Sequence, residues 1–200
     1  MAINLAKGQK IDLKKGNGGD LNSFCVGANW GMIEKKGLFG GVKKESVDLD
    51  LSVGLYDANK KLIDMVYFSK LTSAGVSHSG DDLQGDADGD DGLDNEVIEI
   101  SLNRISSNVE QLMFVLNSYK GQDFATIPFA AIRLYEGTPD RVNEVVATYN
   151  VASDSKYAEY TSMILGKLYR RNGAWKFSAI GEPTKDKKLE KTLVSAQKFL

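Results

Sequence analysis

Two hundred residues, 42% of them apolar, suffice for one well-buried domain and do not require two. The formal net charge of −2 excludes a strongly basic nucleic-acid binder, and the single cysteine, Cys25, excludes an intramolecular disulfide and points to a reducing, cytoplasmic compartment. There is no stretch of eighteen apolar residues to span a membrane, and the N-terminal MAINLAKGQKIDL lacks the apolar core and cleavage pattern of an export signal.

Ile3 and Leu5, then Ile11 and Leu13, alternate with polar neighbours and predict two short strands, followed by a glycine-rich turn over 16–19. Strand patterns rich in β-branched and aromatic residues recur over 24–30, 47–56, 62–69, 97–102, 109–119, 129–135, 144–151, 163–169 and 175–180. Short strands separated by turn residues predict a mainly β protein, a single-domain antiparallel β-sandwich over residues 1–182. Cys25 lies in the apolar segment 24–28 and reads as a small buried hydrophobe rather than a reactive thiol. Along 47–55 the residues Val47, Leu49, Leu51, Val53 and Leu55 share one face, which sends Asp48, Asp50 and Ser52 to the other. From Lys185 the period becomes helical. Leu189, Leu193, Ala196 and Leu200 recur on one stripe while most of the lysines take other faces, so an amphipathic α-helix within 183–200 closes the chain and packs on the same domain.

The segment GDDLQGDADGDDGLDNE at 80–96 holds Asp81, Asp82, Asp86, Asp88, Asp90, Asp91, Asp94 and Glu96 with no Lys or Arg among them. These sixteen residues from Asp81 carry −8, so the net −2 leaves +6 on the remaining 184, too diffuse to specify a nucleic-acid partner. Two unit charges about 4 Å apart repel by roughly 4 kcal/mol at a protein-like dielectric, so such a cluster calls for a cation. Carboxylates, the Asn95 amide and backbone carbonyls turned by Gly80, Gly85, Gly89 and Gly92 form an oxygen-only donor set that suits Ca²⁺. Asp48 and Asp50, two residues apart on one strand face, stand near enough to share one cation or to support two neighbouring ones, and would complete the loop's coordination sphere.

The loop is not an EF-hand. Begun at Asp86, the frame places Asp91 where the sixth-position glycine belongs and Val97 at the acidic twelfth position, and the flanks read as strands. An alternative is a divalent-metal-dependent hydrolase, such as a phosphodiesterase working on clustered carboxylates, with His78 as a lone base. A chain this acidic around its densest motif lacks the Arg clusters or helix ends that would hold an oxyanion directly.

The succession DLDLS at 48–52, VYFSKLTSAGVSHSGDDLQGDADGDD from 66, IRLYE at 132–136 and GKLYRRNGAWKFSAIGE from 166 resembles the TerD family of bacterial tellurite-resistance and general-stress proteins. The resemblance runs to about Glu182. It implies a non-enzymatic Ca²⁺-binding β-sandwich, with Asp48, Asp50, Asp81, Asp88, Asp90, Asp91 and Glu96 at positions matching the family's acids. Asp82, Asp86 and Ala87 depart from the pattern, and the insertion 92–95 before Glu96 offers Asp94 or Asn95 as substitute ligands. Lys167 stands where the family carries Glu, which places the chain nearer the TerZ or TerX branch. The resemblance also implies partners among other Ter-type stress proteins, in cytoplasmic or inner-membrane-peripheral assemblies.

Overall fold

The computed structural model describes residues 2–15, 17–36, 40–151 and 155–200. Its strands, in chain order, are β1 (Ile3–Asn4), β2 (Lys10–Asp12), β3 (Ser23–Trp30), β4 (Ile33–Lys36), β5 (Val42–Glu45), β6 (Leu49–Tyr56), β7 (Leu62–Val66), β8 (Thr72–Ser73), β9 (Val76–His78), β10 (Glu96–Ser101), β11 (Gln111–Ser118), β12 (Ala130–Thr138), β13 (Arg141–Asn150), β14 (Ser162–Arg171) and β15 (Ala174–Thr184), followed by the helix α1 (Leu189–Ala196). They form a sheet ordered β1-β13-β12-β3-β10-β9-β8, a second ordered β2-β15-β14-β11-β6-β7, and a separate β4–β5 hairpin. The expected mainly β, antiparallel architecture is present; the one departure in these sheets is β1, which pairs parallel to β13.

Alternation explains how the two large sheets bury their facing sides. On β6, Leu49, Leu51, Val53 and Leu55 point into the main core with Val26, Ala28 and Ile98 from the opposite sheet. Each such aliphatic side chain contributes roughly 1.5–3 kcal/mol when removed from water. The outer side of the second sheet is covered too. Tyr56, Met113, Val115, Ile164 and Ile180 meet Leu193 and Ala196 of α1 in a smaller cluster, with Leu189 and Leu200 packed at its margin. The helical stripe expected from the sequence therefore docks on the domain, though the helix begins at Leu189 rather than Lys185. Lys167 secures its end by donating to the Phe199 carbonyl at 2.6 Å and to Gln111 Oε1 at 2.7 Å.

Covered on both faces, β6 is buried along its entire length, Asp50 and Ser52 included. Asp48, just before the strand, is buried as well. The β4–β5 hairpin gave no alternation signal because Lys35, Lys36, Lys43 and Lys44 crowd it, and β8 and β9 are too short to show a period. The strand expected over 62–69 stops at Val66, where Tyr67 turns and bridges to Lys70. Gly16, part of the turn expected over 16–19, lies outside the described residues.

Candidate metal centre

Between β9 and β10 the acidic segment leaves one sheet, crosses the end of the sandwich and returns. Backbone bonds tie it down along the way: Asp86 N donates to the Trp30 carbonyl at 2.9 Å, Met32 N to the Asp86 carbonyl at 3.0 Å and Val47 N to the Gln84 carbonyl at 3.0 Å. Gly85 takes φ +76° and lies so close to the Trp30 indole that any Cβ would overlap the ring. Trp30 is fully buried and donates Nε1–H to the Val47 carbonyl at 2.8 Å, which joins β3, the loop and the entry to β6.

The loop returns its acids to two places. The carboxylates of Asp48, Asp50 and Asp81 offer oxygens that all lie within 4.8 Å of one another, and those of Asp86, Asp90 and Asp91 form a second such group. In the first, Asp48 and Asp50 are buried and Asp81 is exposed. Burial, reinforced by the nearby charges of Glu96, Asp48 and Asp81, pushes the Asp50 carboxyl up to about 8. Burial likewise raises Asp48, against the pull of Lys120, whose Nζ lies 3.5 Å from its Oδ2. Asp48 Oδ1 is buried with no hydrogen-bond donor. In the second group, Asp86 is also raised, mainly by burial. Asn95 Nδ2 donates to Asp86 Oδ1 at 2.9 Å, and Asn29 Nδ2 from β3 donates to Asp90 Oδ1 at 2.8 Å.

The remaining acids are spent on the protein itself. Asp82 Oδ1 accepts from Gln84 N and Gly85 N and shapes the turn, and exposed Asp88 pairs with Lys44 at 2.5 Å, which lowers its carboxyl. Asp94 is turned inward. Its Oδ1 accepts from Arg133 Nε at 2.8 Å, its side chain is 0% exposed, and burial raises it to about 6 despite the guanidinium. Asn95 Oδ1 accepts from Trp30 N at 2.8 Å. Glu96, wholly buried, accepts from Leu51 N at 2.7 Å and from Asp82 N at 3.2 Å, with His78 Nε2 3.4 Å from the same Oε2. Burial raises its carboxyl and His78 opposes that.

His78 acts as a brace. Its Nδ1 accepts from Gly80 N at 3.1 Å, so the proton sits on Nε2, 2.9 Å from the Leu51 carbonyl. Thus three residues put forward as candidate ligands, Asp94, Asn95 and Glu96, are held as anchors of the loop, whereas Asp48, Asp50, Asp81, Asp86, Asp90 and Asp91 are brought together. Asn29, Lys44, Lys120 and Arg133 also belong to the centre. Only Asn29 left a trace in the sequence, as a lone amide in the apolar run FCVGANW, and its Oδ1 is buried without a donor. Lys70 and Arg104, the bases nearest in sequence, have no bond to the loop among the described contacts; Lys70 pairs with Asp64.

Gly27 on β3 gives a direct test of the Asp94 anchor. A Cβ there would overlap the Asp94 carboxylate. Gly27→Ala is expected to expel Asp94, break its pair with Arg133 and cost about 1–3 kcal/mol. Thermal melting and hydrogen exchange at 92–95 should both register the loss.

Comparison with known proteins adds the wider context. The TerD domain model matches residues 1–195, which reaches past Glu182 into α1. The chain is 39% identical to stress response protein SCP2 of Bacillus subtilis (strain 168), over 95% of this chain and 96% of that one. It is 35% identical to tellurium resistance protein TerZ of Serratia marcescens, over 94% and 93% respectively. Among solved structures, a homologue of the telluride resistance protein TerD from Streptomyces coelicolor A3(2) superposes with a TM-score of 0.65 over 85% of this chain and 94% of that one, at 16% identity, a likeness of fold.

Proposed function

Since the chain belongs to the TerD family, whose named members are tellurium-resistance and stress-response proteins, we propose that it is a non-enzymatic Ca²⁺-binding module of that stress response. The observation that carries this reading is the pair of three-carboxylate groups at one end of the sandwich. The donor chemistry fits a hard divalent cation: all oxygens, no thiol, and a buried Asp48 Oδ1 that no protein donor satisfies. Asp48, Asp50 and Asp81 would hold one ion, and Asp86, Asp90 and Asp91 a second. Bound calcium supplies the positive charge that offsets their mutual repulsion.

Because the loop ends are already tied to Trp30, Val47 and Leu51, the segment that calcium orders is the acid-rich tip rather than the whole loop. The ordered tip is the surface offered to a partner, such as another stress protein of this type. A family-level role at the cytoplasmic side of the membrane is compatible with the described residues, in which no helix is long and apolar enough to cross it. Hydrolysis draws no support from this geometry, because both ring nitrogens of His78 are engaged with the backbone.

Calorimetric titration of Ca²⁺ into chelator-treated protein tests the reading. Expected is saturable binding of two ions with Mg²⁺ competing weakly, and a folding stability that rises by RT ln(1 + [Ca²⁺]/Kd) per ion, about 2.7 kcal/mol at a hundredfold excess over Kd, seen as a higher melting temperature. Absence of heat and of any thermal shift at millimolar Ca²⁺ would overturn it.

A further inference from the structure

A cavity of about 180 Å³ opens on the outer face of the second sheet where α1 begins. Its floor is made by Asp50 and Ser52 of β6 and Asn117 of β11, all more than nine-tenths buried. Asp50 and Asn117 are directly opposed across the strand pair. The orientation of the Asn117 amide follows from its neighbours. Ser162 Oγ donates to the Asp186 carbonyl at 2.6 Å and Thr192 Oγ1 to the Lys188 carbonyl at 3.3 Å, so both hydroxyls can only accept from Asn117 Nδ2, at 2.6 and 2.8 Å. Asn117 Oδ1 is left buried with no donor. A buried acceptor without a partner costs about 1–3 kcal/mol, which makes this floor a place that wants N–H or O–H groups from outside the protein.

The mouth has the opposite character. Helix α1 starts at Leu189 without a side-chain cap, and Leu189 and Glu190 line the cavity together with the exposed Lys187 and Lys188. Unpaired N–H groups at the helix start and two ammonium groups outweigh the single Glu190 carboxylate beside them and leave a net positive mouth that favours an anion. Aromatic rings line the cavity too, Phe68 set edge-on against Tyr67 at 5.4 Å and against the exposed Tyr119 at 6.2 Å between centroids.

We propose that this cavity binds a small aminoalkyl anion, its primary ammonium on the floor and its phosphate or carboxylate at the helix start. An ammonium carries three donors, and the floor offers three acceptors: an Asp50 oxygen, Asn117 Oδ1 and Ser52 Oγ. The rings flank the short alkyl spacer and add a cation–π attraction for the ammonium. A carboxylate has two oxygens, so Asp50 can face the Asp48–Asp81 group with one and the cavity with the other. The inference shares Asp50 with the calcium reading but is anchored on Asn117 and α1, and the two fail separately.

The experiment titrates phosphoethanolamine into isotope-labelled full-length protein, in calcium and in chelator, and follows amide shifts. Expected are shifts at Ser118, Tyr119, Leu189 and Glu190, with ethanolamine and inorganic phosphate each binding about tenfold more weakly or worse, as fits the loss of one charged anchor. Lys187→Ala with Lys188→Ala, both on exposed side chains, should leave melting unchanged and remove the advantage of phosphoethanolamine over ethanolamine. Sedimentation with phosphatidylethanolamine vesicles, against phosphatidylcholine vesicles, identifies whether the head group is taken from lipid or from solution; selective capture places it on lipid, and binding of the soluble compound alone places it in solution. Shifts elsewhere only, equal binding of inorganic phosphate, or an unaltered preference in the double lysine variant would overturn the proposal. Because Asp50 is shared, affinity is compared within each condition, and the amide shifts report occupancy of this cavity whether or not calcium proves to bind.

Discussion

Replacing Asp50 by asparagine is expected to make the calcium-free protein more stable and to remove the stabilisation contributed by the ion proposed at Asp48, Asp50 and Asp81, leaving that of the Asp86, Asp90 and Asp91 group. Both effects follow from one carboxylate. In the calcium-free fold the Asp50 carboxyl titrates near 8, because it is buried and faces Glu96, Asp48 and Asp81. In the unfolded chain it titrates near the ordinary aspartate value of about 3.9. Across the interval between them the folded state holds the extra proton, so stability is greatest at the acid end and is lost as pH rises through about 8. Asp94, raised to about 6, acts in the same direction. Carboxylates held low by surface lysines, such as Asp12 and Glu182, act in the opposite sense, but that contribution is complete above the unfolded carboxylate range of about 4–4.5.

After allowance for partial solvent screening, removing the Asp50 charge should stabilise the calcium-free protein at pH 8 by ~2–3 kcal/mol, or about 5–10 °C in melting temperature for a chain of this size. Calcium inverts the linkage, since the ion needs the carboxylate deprotonated. The ion at Asp48, Asp50 and Asp81 should therefore stabilise the wild-type protein most at pH 8 and little at pH 5, while Asp50→Asn keeps at both pH values only the shift contributed by Asp86, Asp90 and Asp91. Melting curves at the two pH values, with calcium and with chelator, measure all four quantities. A wild-type protein whose calcium-free stability rises from pH 5 to 8 would contradict the electrostatic account.

Glu96→Ala is expected to be the most damaging single substitution in the centre. The carboxylate is fully buried and joins three parts of the fold: the β6 backbone through Leu51 N, the acidic loop through Asp82 N and the end of β9 through His78. Truncation orphans the buried Leu51 N–H, takes the acceptor from Asp82 N and leaves a cavity beside His78, which keeps its bond to the Leu51 carbonyl, a loss of about 3–5 kcal/mol. At roughly 2–4 °C per kcal/mol, melting should fall by about 6–20 °C. Glu96→Gln keeps the volume and one carbonyl acceptor and should lose appreciably less. The discriminating readout is proteolysis: with its link to Leu51 cut, the segment 79–95 should become the first site of cleavage in Glu96→Ala, whereas a ligand-only role for Glu96 would leave cleavage unchanged once calcium is removed from both proteins.

Much of this molecule was legible in its residues. Alternation along 49–56 assigned Leu49, Leu51, Val53 and Leu55 to one side and Asp50 and Ser52 to the other, because side chains in a strand change face at every step whatever the strand packs on. The stripe of Leu189, Leu193 and Ala196 specified an apolar helix face in the same local way. Where local signals were weak, expectation and structure diverged: the lysine-rich β4–β5 hairpin and the short β8 and β9 carry no readable period.

The divergence is greatest within the acidic loop, where eight acids look alike in sequence and play three parts in the fold. Composition by itself determined that excess negative charge and oxygen donors gather at one point of the chain, since charge and side-chain chemistry belong to each residue alone. Only the tertiary structure decided which acids meet in groups that could hold an ion and which become anchors. Arg133 captures Asp94 across 39 positions and Leu51 captures Glu96 across 45, while Lys120 reaches Asp48. Such pairings depend on strand order and register, which long-range packing sets and no local pattern encodes.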